Sequence, residues 1–215
     1  MAADTLALVF ARARALVGAL APDEVYTDAR LGSFAPGVYR EIQRRFAMAG
    51  HVLLNDYAQF NVTAGVLSVG AATVGWPGTP DDNLVIKPTR LWERPQASVL
   101  FSDFVEMEEV DPYLIPRAQT TVLTHYEWGG RTIDLVGSSV NTTIRMAYAK
   151  YLAPLTGAAG DVLLIPDSVE AMAYGVAAEA VTSRGAKEKG EAFFGQFGEI
   201  VERMIQSDAG RLQGA

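Results

Sequence analysis

The sequence predicts an α+β fold, in which helices from the two ends of the chain form a small bundle and the middle forms an antiparallel β insertion. Three observations lead to this prediction. Apolar residues recur at helical spacing near both ends. The middle contains short β-prone runs separated by glycine and proline. Within it, two alternating runs between residues 120 and 136 flank Gly129-Gly130, a dipeptide suited to the tight turn of a β-hairpin. We predict one domain over residues 1–215, with helices in 1–50 and 165–206, the insertion in 52–148 and a flexible tail in 207–215.

The first helix is predicted over residues 4–20, ending before Pro22, with Asp4 as its N-cap. Its apolar length imitates a secretory signal, but Asp4 stands where such signals are basic, and Arg12 and Arg14 interrupt the apolar run. We therefore expect an amphipathic helix. Its apolar stripe comprises Leu6, Val9, Phe10, Ala13, Leu16, Val17 and Leu20.

A second helix is predicted over residues 36–49. Proline suits the first turn of a helix, which places the start at Pro36. Val38, Ile42 and Phe46 then recur at helical spacing, and Gly50 suits the helix end.

The β-rich middle contains several predicted strands. Residues 61–69 and 84–94 are candidate strands, with turns at 76–78 and 81–83. Residues 97–106 fit either a strand or a short helix. The hairpin over 120–136 has the clearest pattern, and we expect a positive φ at both Gly129 and Gly130. Residues 141–148 are rich in β-branched side chains and are predicted to be extended.

Two further helices are predicted after Ile165-Pro166-Asp167, separated by a break near Gly185. Each is apolar on one face, so these faces must be buried against those of the N-terminal helices. The two apolar stripes comprise Val169, Met172, Ala173, Val176, Ala177, Ala180, Phe193, Phe197, Ile200, Val201 and Met204.

Composition excludes several classes of protein. The chain has 215 residues, a formal net charge of −7 and no cysteine. The absence of cysteine excludes a disulfide scaffold, a thiolate metal site and a cysteine nucleophile. The acidic balance argues against general binding to the phosphate backbone of nucleic acids, which requires clustered basic residues. No apolar run approaches the length of a membrane span.

The sequence offers little for catalysis. His51 follows a predicted helix end and His125 lies in a predicted strand, and no Gly-x-Ser-x-Gly motif accompanies them. The acidic residues Glu106, Glu108, Glu109 and Asp111 could form a carboxylate pair or a magnesium site, but acidic runs are more often solvated loops. Glycine-rich phosphate loops are absent from the sequence. We predict no catalytic residue, no cofactor and no metal ligand.

Two alternative functions follow from single features. A carbohydrate-binding β module would use Trp76, Trp92 or Trp128 as a stacking platform. A hydrolase would use the acidic stretch over residues 106–111. Signal on a glycan array would support the first, and turnover dependent on metal or pH would support the second.

Six short motifs occur in a characteristic order. They are Pro88-Thr-Arg-Leu-Trp-Glu-Arg94, Leu114-Ile-Pro-Arg117, Tyr126-Glu-Trp-Gly-Gly-Arg-Thr-Ile133, Val136-Gly137, Ile144-Arg-Met-Ala-Tyr148 and Ile165-Pro-Asp-Ser-Val-Glu-Ala-Met-Ala-Tyr-Gly-Val-Ala-Ala-Glu-Ala180. Together they resemble the head-to-tail adaptor (connector) proteins of tailed bacteriophages. The resemblance covers residues 88–205, with a looser helical correspondence at the N-terminus, and leaves 52–83 unaligned.

This resemblance implies a structural protein of the virion neck, between capsid and tail, that is made in the host cytoplasm. It implies a homo-oligomeric ring of about twelve copies under the portal protein, in contact with other neck or tail proteins. DNA would pass through the ring without sequence-specific binding, and no enzyme activity, cofactor or membrane is implied. A stopper or tail completion protein is the nearest alternative. The candidate subunit or portal contacts are Trp76, Trp92, Trp128, Phe193, Phe197, Met204 and Leu212.

Overall fold

The computed structural model describes residues 4–19, 25–79, 83–111 and 119–213, with side chains described as far as Ser207. The chain separates into two compact units. The helical unit comprises Met1–His51 and Leu152–Ala215, and the β unit comprises Val52–Tyr151. The predicted division into helical ends and a β-rich middle has the same order. Whether the two units behave as a single domain, as predicted, depends on whether they fold and unfold together. The single domain therefore stays a prediction.

Among the described residues, the helical unit contains four α-helices and the β unit contains seven strands. The helices are α1 (Leu6–Val17), α2 (Asp28–Met48), α3 (Val169–Thr182) and α4 (Lys187–Gln213). The strands are β1 (Asn55–Val62), β2 (Ser68–Gly70), β3 (Val85–Pro95), β4 (Val105–Glu109), β5 (His125–Trp128), β6 (Thr132–Leu135) and β7 (Thr142–Lys150).

The fold is α+β, as predicted, but the β part is a large sheet and not just a central insertion in a helical bundle. All seven strands form one sheet in the order β1-β7-β3-β4-β5-β6-β2. Phe60 from edge strand β1 and Val69 from edge strand β2 belong to the same buried cluster as Leu91 and Ile144 from β3 and β7. The sheet therefore curves nearly into a barrel and encloses a hydrophobic core of its own.

Strand pairing corrects the prediction of a purely antiparallel sheet. Strands β4 and β5 are parallel, with Glu108 opposite His125 and Glu109 opposite Tyr126, whereas the other paired strands are antiparallel. A tight turn cannot join parallel neighbours, and the connection over 110–124 is long enough to return the chain to the same end of the sheet.

Strand positions agree with some predictions and contradict others. The strand predicted over 84–94 is confirmed as β3, and the extended segment over 141–148 is confirmed as β7. The strand predicted over 61–69 is wrong, because Gly65 has a φ of 82° and the chain turns there between β1 and β2. The ambiguous segment 97–106 contains a short 3₁₀ turn, Phe101–Asp103, before β4 begins.

The hairpin predicted over 120–136 is confirmed as β5 and β6, but its first strand begins only at His125, and its turn lies one residue later than expected. The Gly129 N–H donates to the Thr132 carbonyl at 2.8 Å, so the central turn residues are Gly130 and Arg131. Gly130 has a φ of 83°, whereas neither Gly129 nor Arg131 has a positive φ. A positive φ at the first central residue alone is the pattern of a type II′ turn, which favours glycine there.

Helix α1 begins later than predicted, and helix α2 begins earlier. Helix α1 follows Thr5, so Asp4 is not its N-cap. Helix α2 begins at Asp28, where the Thr27 hydroxyl accepts a hydrogen bond from the Arg30 N–H at 3.2 Å. Pro36 therefore lies inside α2 and not in its first turn.

A close backbone contact accompanies this internal proline. Proline lacks the N–H that would pair with the Gly32 carbonyl one turn earlier. That carbonyl lies against the backbone of Gly157, and neither glycine has space for a Cβ atom. The contact explains why glycine occupies both positions.

Helices α3 and α4 complete the bundle. Most of α3 is buried, including small residues on several sides, because it packs against α1, α2 and α4. Gly175 allows α3 to approach α2 and α4 closely, since a Cβ there would overlap Val38 and crowd Phe197. The predicted helix end at residue 206 is wrong, because α4 continues to Gln213. Within the described residues, no helix combines the length and apolar character needed to cross a membrane.

Candidate interaction surfaces

The two histidines lie in separate structural settings. The His51 ring stacks on Phe46 just after α2, with ring centroids 4.6 Å apart. In the β unit, His125 Nδ1 lies 2.7 Å from the Thr124 hydroxyl, and Nε2 lies 3.9 Å from a Glu108 carboxylate oxygen. Ring packing accounts for the position of His51, and polar contacts at the surface account for that of His125. The absence of catalysis stays a prediction.

The acidic stretch is a strand over Val105–Glu109, where we had expected a loop. Met107 points into the core, and Glu106 and Glu108 are exposed. A Glu106 carboxylate oxygen lies 3.9 Å from the Arg90 Nε atom. Among the residues that the structure describes, no three His, Asp or Glu side chains are grouped so as to hold a metal ion.

Two of the three tryptophans belong to one aromatic cluster of the β unit. Trp76 is only 6% exposed and contacts Phe60 and Trp128, with ring centroids 5.5 and 6.3 Å away. Its indole N–H donates to the Asn83 side-chain oxygen at 3.3 Å. The Trp76 ring therefore has almost no surface for a glycan or a neighbouring chain. Trp128 is half-buried.

The candidate contacts on α4 differ in their exposure. Phe197 is fully buried in the helical unit. Phe193 is half-buried, with its ring centroid 6.0 Å from that of Tyr174, and Met204 is also half-buried. The backbone of Leu212 lies in α4, but its side chain is outside the described residues. A more exposed residue, Phe194, was not among the predicted contacts and is 44% exposed.

Trp92 belongs to a surface that the sequence analysis did not predict. We call it the arginine–aromatic face and define it by Tyr57, Arg90, Trp92, Phe101 and Arg145. The Arg145 guanidinium carbon lies 5.3 Å from the Tyr57 ring centroid, 5.9 Å from that of Trp92 and 4.8 Å from that of Phe101. These distances fit cation–π contacts. All five residues line a cavity of about 650 Å³.

Strand register brings this face together. Arg145 on β7 lies opposite Gln59 on β1 and opposite Trp92 on β3. Tyr57 is two residues from Gln59 and therefore points to the same side of the sheet. No local sequence pattern connects these positions, which explains why periodicity alone did not detect the face.

An exposed apolar loop borders the face. Val99, Leu100 and Phe101 are 84%, 60% and 70% exposed. The loop backbone is anchored, because an Arg94 Nη atom donates to the Leu100 carbonyl at 2.9 Å. The Arg94 guanidinium also lies 4.7 Å from the centroid of the Phe104 ring. Contiguous exposed apolar side chains on an anchored loop are typical of an interaction surface.

Comparison with known proteins places the chain in a family. Comparison with curated proteins gives no match. Residues 4–215 match the sequence profile of a family described as SU10 adaptor protein. The match includes both units and extends well beyond the region covered by the short motifs. The chain belongs to the SU10 adaptor protein family, which consists of phage head-to-tail adaptors.

Proposed function

We propose that this protein forms a ring under the portal protein, joins the capsid to the tail, and surrounds part of the channel through which DNA passes. The observation that carries this proposal is the family match over residues 4–215. We further propose about twelve copies in a closed ring, because head-to-tail contacts between identical subunits can close by rotation. The ring would also contact other neck or tail proteins.

Exposed apolar side chains support a role in assembly. In the β unit they include the Val99–Leu100–Phe101 loop, Leu67 and Val74, which is 92% exposed. In the helical unit, Met48 is 79% exposed. Such surface is costly to leave in water and is commonly covered by a partner.

The charge of the chain is compatible with a DNA channel. Its net charge of −7 disfavours tight binding to the DNA backbone. DNA would then move through the ring without being held by it. We therefore propose passage without sequence-specific recognition.

The ring is tested with the purified portal protein. The chain and the portal are mixed, and the products are examined by native mass spectrometry and electron microscopy. We expect a cyclic assembly of about twelve copies on the portal. The chain alone and the portal alone are the controls. Failure to bind the portal, or the presence of only isolated monomers in mature particles, would contradict the proposal.

A second experiment tests the proposal that the protein is not an enzyme. His51 and His125 are its only histidines, and histidine is the side-chain type that most often acts as a general acid or base in enzymes. We expect the double variant His51→Gln/His125→Gln to support phage assembly at the wild-type level. Circular dichroism checks its folding, because the His51 ring stacks on Phe46. A folded, assembled and yet inactive double variant would contradict the structural role.

A further inference from the structure

Charge is divided across one surface of the sheet. Trp92 on β3 lies opposite Arg145 on β7 and opposite Glu106 on β4, so the three form one cross-strand row. Glu108 lies two residues after Glu106 and points to the same side. The row therefore runs from the arginine–aromatic face to an acidic strand.

The two parts of this surface have few partners within the chain. Arg90 and Glu106 meet at 3.9 Å where the parts join, with their side chains 66% and 57% exposed. Further out, the Glu108 side chain is 77% exposed, and one of its carboxylate oxygens lies 3.9 Å from Nε2 of His125. Within the described residues, no carboxylate lies within ion-pair distance of Arg145.

The arginine–aromatic face is suited to an acidic side chain. The rings of Tyr57, Trp92 and Phe101 hold the Arg145 guanidinium beside the cavity. A carboxylate entering the cavity would form charge-assisted hydrogen bonds with this guanidinium. The exposed Phe101 ring would cover apolar surface next to it. Glu106 and Glu108 present two such carboxylates on one side of β4, whereas Val105 points to the other side.

We propose that the arginine–aromatic face binds the acidic strand β4, with Glu106 and Glu108, of a second copy of this chain. The complementary charges of the two surfaces support this occupant. One chain cannot pair them fully, because β3 lies between β7, which carries its Arg145, and β4, which carries its Glu108. The inference rests on the ring of the proposed function, in which one surface of each subunit meets a different surface of the next.

The contact should be weak by itself. A surface of five side chains is smaller than the roughly 800 Å² per partner that stable interfaces bury. Charge contacts at an exposed surface also weaken as salt increases. We therefore expect the isolated chain to associate weakly at low salt, and its association to fall as salt is added.

Charge reversal tests the contact. The variants are Arg145→Glu, Glu108→Arg and the double variant carrying both changes. Each single variant places like charges opposite one another, so we expect self-association to weaken by about tenfold or more. The double variant restores opposite charges, as does a mixture of the two single variants, and both should recover association. Sedimentation velocity at low and high salt measures self-association, and native mass spectrometry with the portal measures ring formation.

Matched controls separate this contact from general charge and folding effects. Arg131→Glu reverses an exposed charge on the β5–β6 turn and should leave association unchanged. Because Glu108 is largely exposed, Glu108→Arg tests the contact even if Arg145→Glu fails to fold. Wild-type chain that stays monomeric, single variants that associate normally, or a double variant that does not recover would each overturn the inference.

The experiment also distinguishes this inference from the proposed function. Rings on the portal that form equally well with Glu108→Arg would overturn the contact and leave the ring intact. A closed dimer with the expected charge dependence, and no ring on the portal, would support the contact and overturn the ring.

Discussion

Glu93 is an acidic side chain with no exposed surface. It lies on β3 between Val105 on β4 and Ile144 on β7. Among the described residues, neither carboxyl oxygen has a hydrogen-bond partner of normal geometry. Burial raises the pKa of Glu93, and the backbone N–H of Leu123 opposes this rise to a smaller degree. A carboxyl group in this position is more stable when it is protonated.

Glu93→Gln should therefore change how stability depends on pH. Because the folded-state pKa of Glu93 is raised, its contribution to the free energy of unfolding is fully present below the unfolded-state pKa and is lost as pH rises through the folded-state value. Glutamine does not titrate, so the variant should become more stable than the wild type as pH rises. We expect its free energy of unfolding to be higher by about 1–3 kcal/mol at a pH where Glu93 is ionised in the wild type. Urea melts between about pH 4 and 8 measure this difference. The exposed Glu109→Gln is the control, and a wild-type curve parallel to that of Glu93→Gln would contradict the prediction.

Close packing between helices depends on particular glycines. Gly175 on α3 lies where a methyl group would overlap Val38 on α2, so we expect Gly175→Ala to destabilise the protein by about 1–3 kcal/mol. Gly195 on α4 has open space around its Cβ position. Gly195→Ala should instead stabilise the protein by about 0.4–1 kcal/mol, because alanine restricts the unfolded chain. Thermal and denaturant melts of both variants test this contrast, and equal effects would contradict the packing.

The β5–β6 hairpin depends on the conformation of one residue. Gly130 has a φ of 83°, which β-branched residues rarely adopt. Gly130→Val should cost about 1–3 kcal/mol, whereas Arg131→Val at the next turn position should cost less, because Arg131 has no positive φ. Denaturant melts followed by tryptophan fluorescence report the change near Trp128. If both variants have the same stability, the turn assignment is wrong.

The two units have separate cores, and the chain passes between them twice. At the second passage, the Tyr151 N–H donates to the Leu84 carbonyl at 2.7 Å, and the Leu152 N–H donates to the Gln43 side-chain oxygen at 2.6 Å. The first of these hydrogen bonds lies within the β unit, and the second lies within the helical unit. We propose that the units unfold together as one domain.

Natural probes in the chain allow this proposal to be tested. All three tryptophans lie in the β unit, whereas all four described α-helices lie in the helical unit. Tryptophan fluorescence and the far-ultraviolet circular dichroism of helices therefore report different units. We expect coincident urea transitions, as cooperative two-state unfolding requires. Two separated transitions would show that the units unfold independently and would contradict the single domain.

The order of helical and β-rich regions, the locations of β3, β7 and the hairpin, and the resemblance to phage adaptors could all be predicted from the amino-acid sequence. These features rest on local patterns. Apolar residues at helical spacing identify α3, β-branched residues identify β7, and a glycine pair identifies the turn within one residue. Such patterns reflect which side of a single element faces the core, and this information is present in a few neighbouring residues.

Features that depend on distant parts of the chain could not be predicted in this way. Pro36 lies inside α2, where the Gly32 carbonyl is in contact with Gly157. Both edge strands of the sheet contribute to one core, so the sheet is much larger than a small insertion. The arginine–aromatic face exists because strand register places Arg145 beside Tyr57 and Trp92. Backbone pairing between distant strands has no local periodicity, and the contact surfaces it creates therefore became visible only in the folded chain.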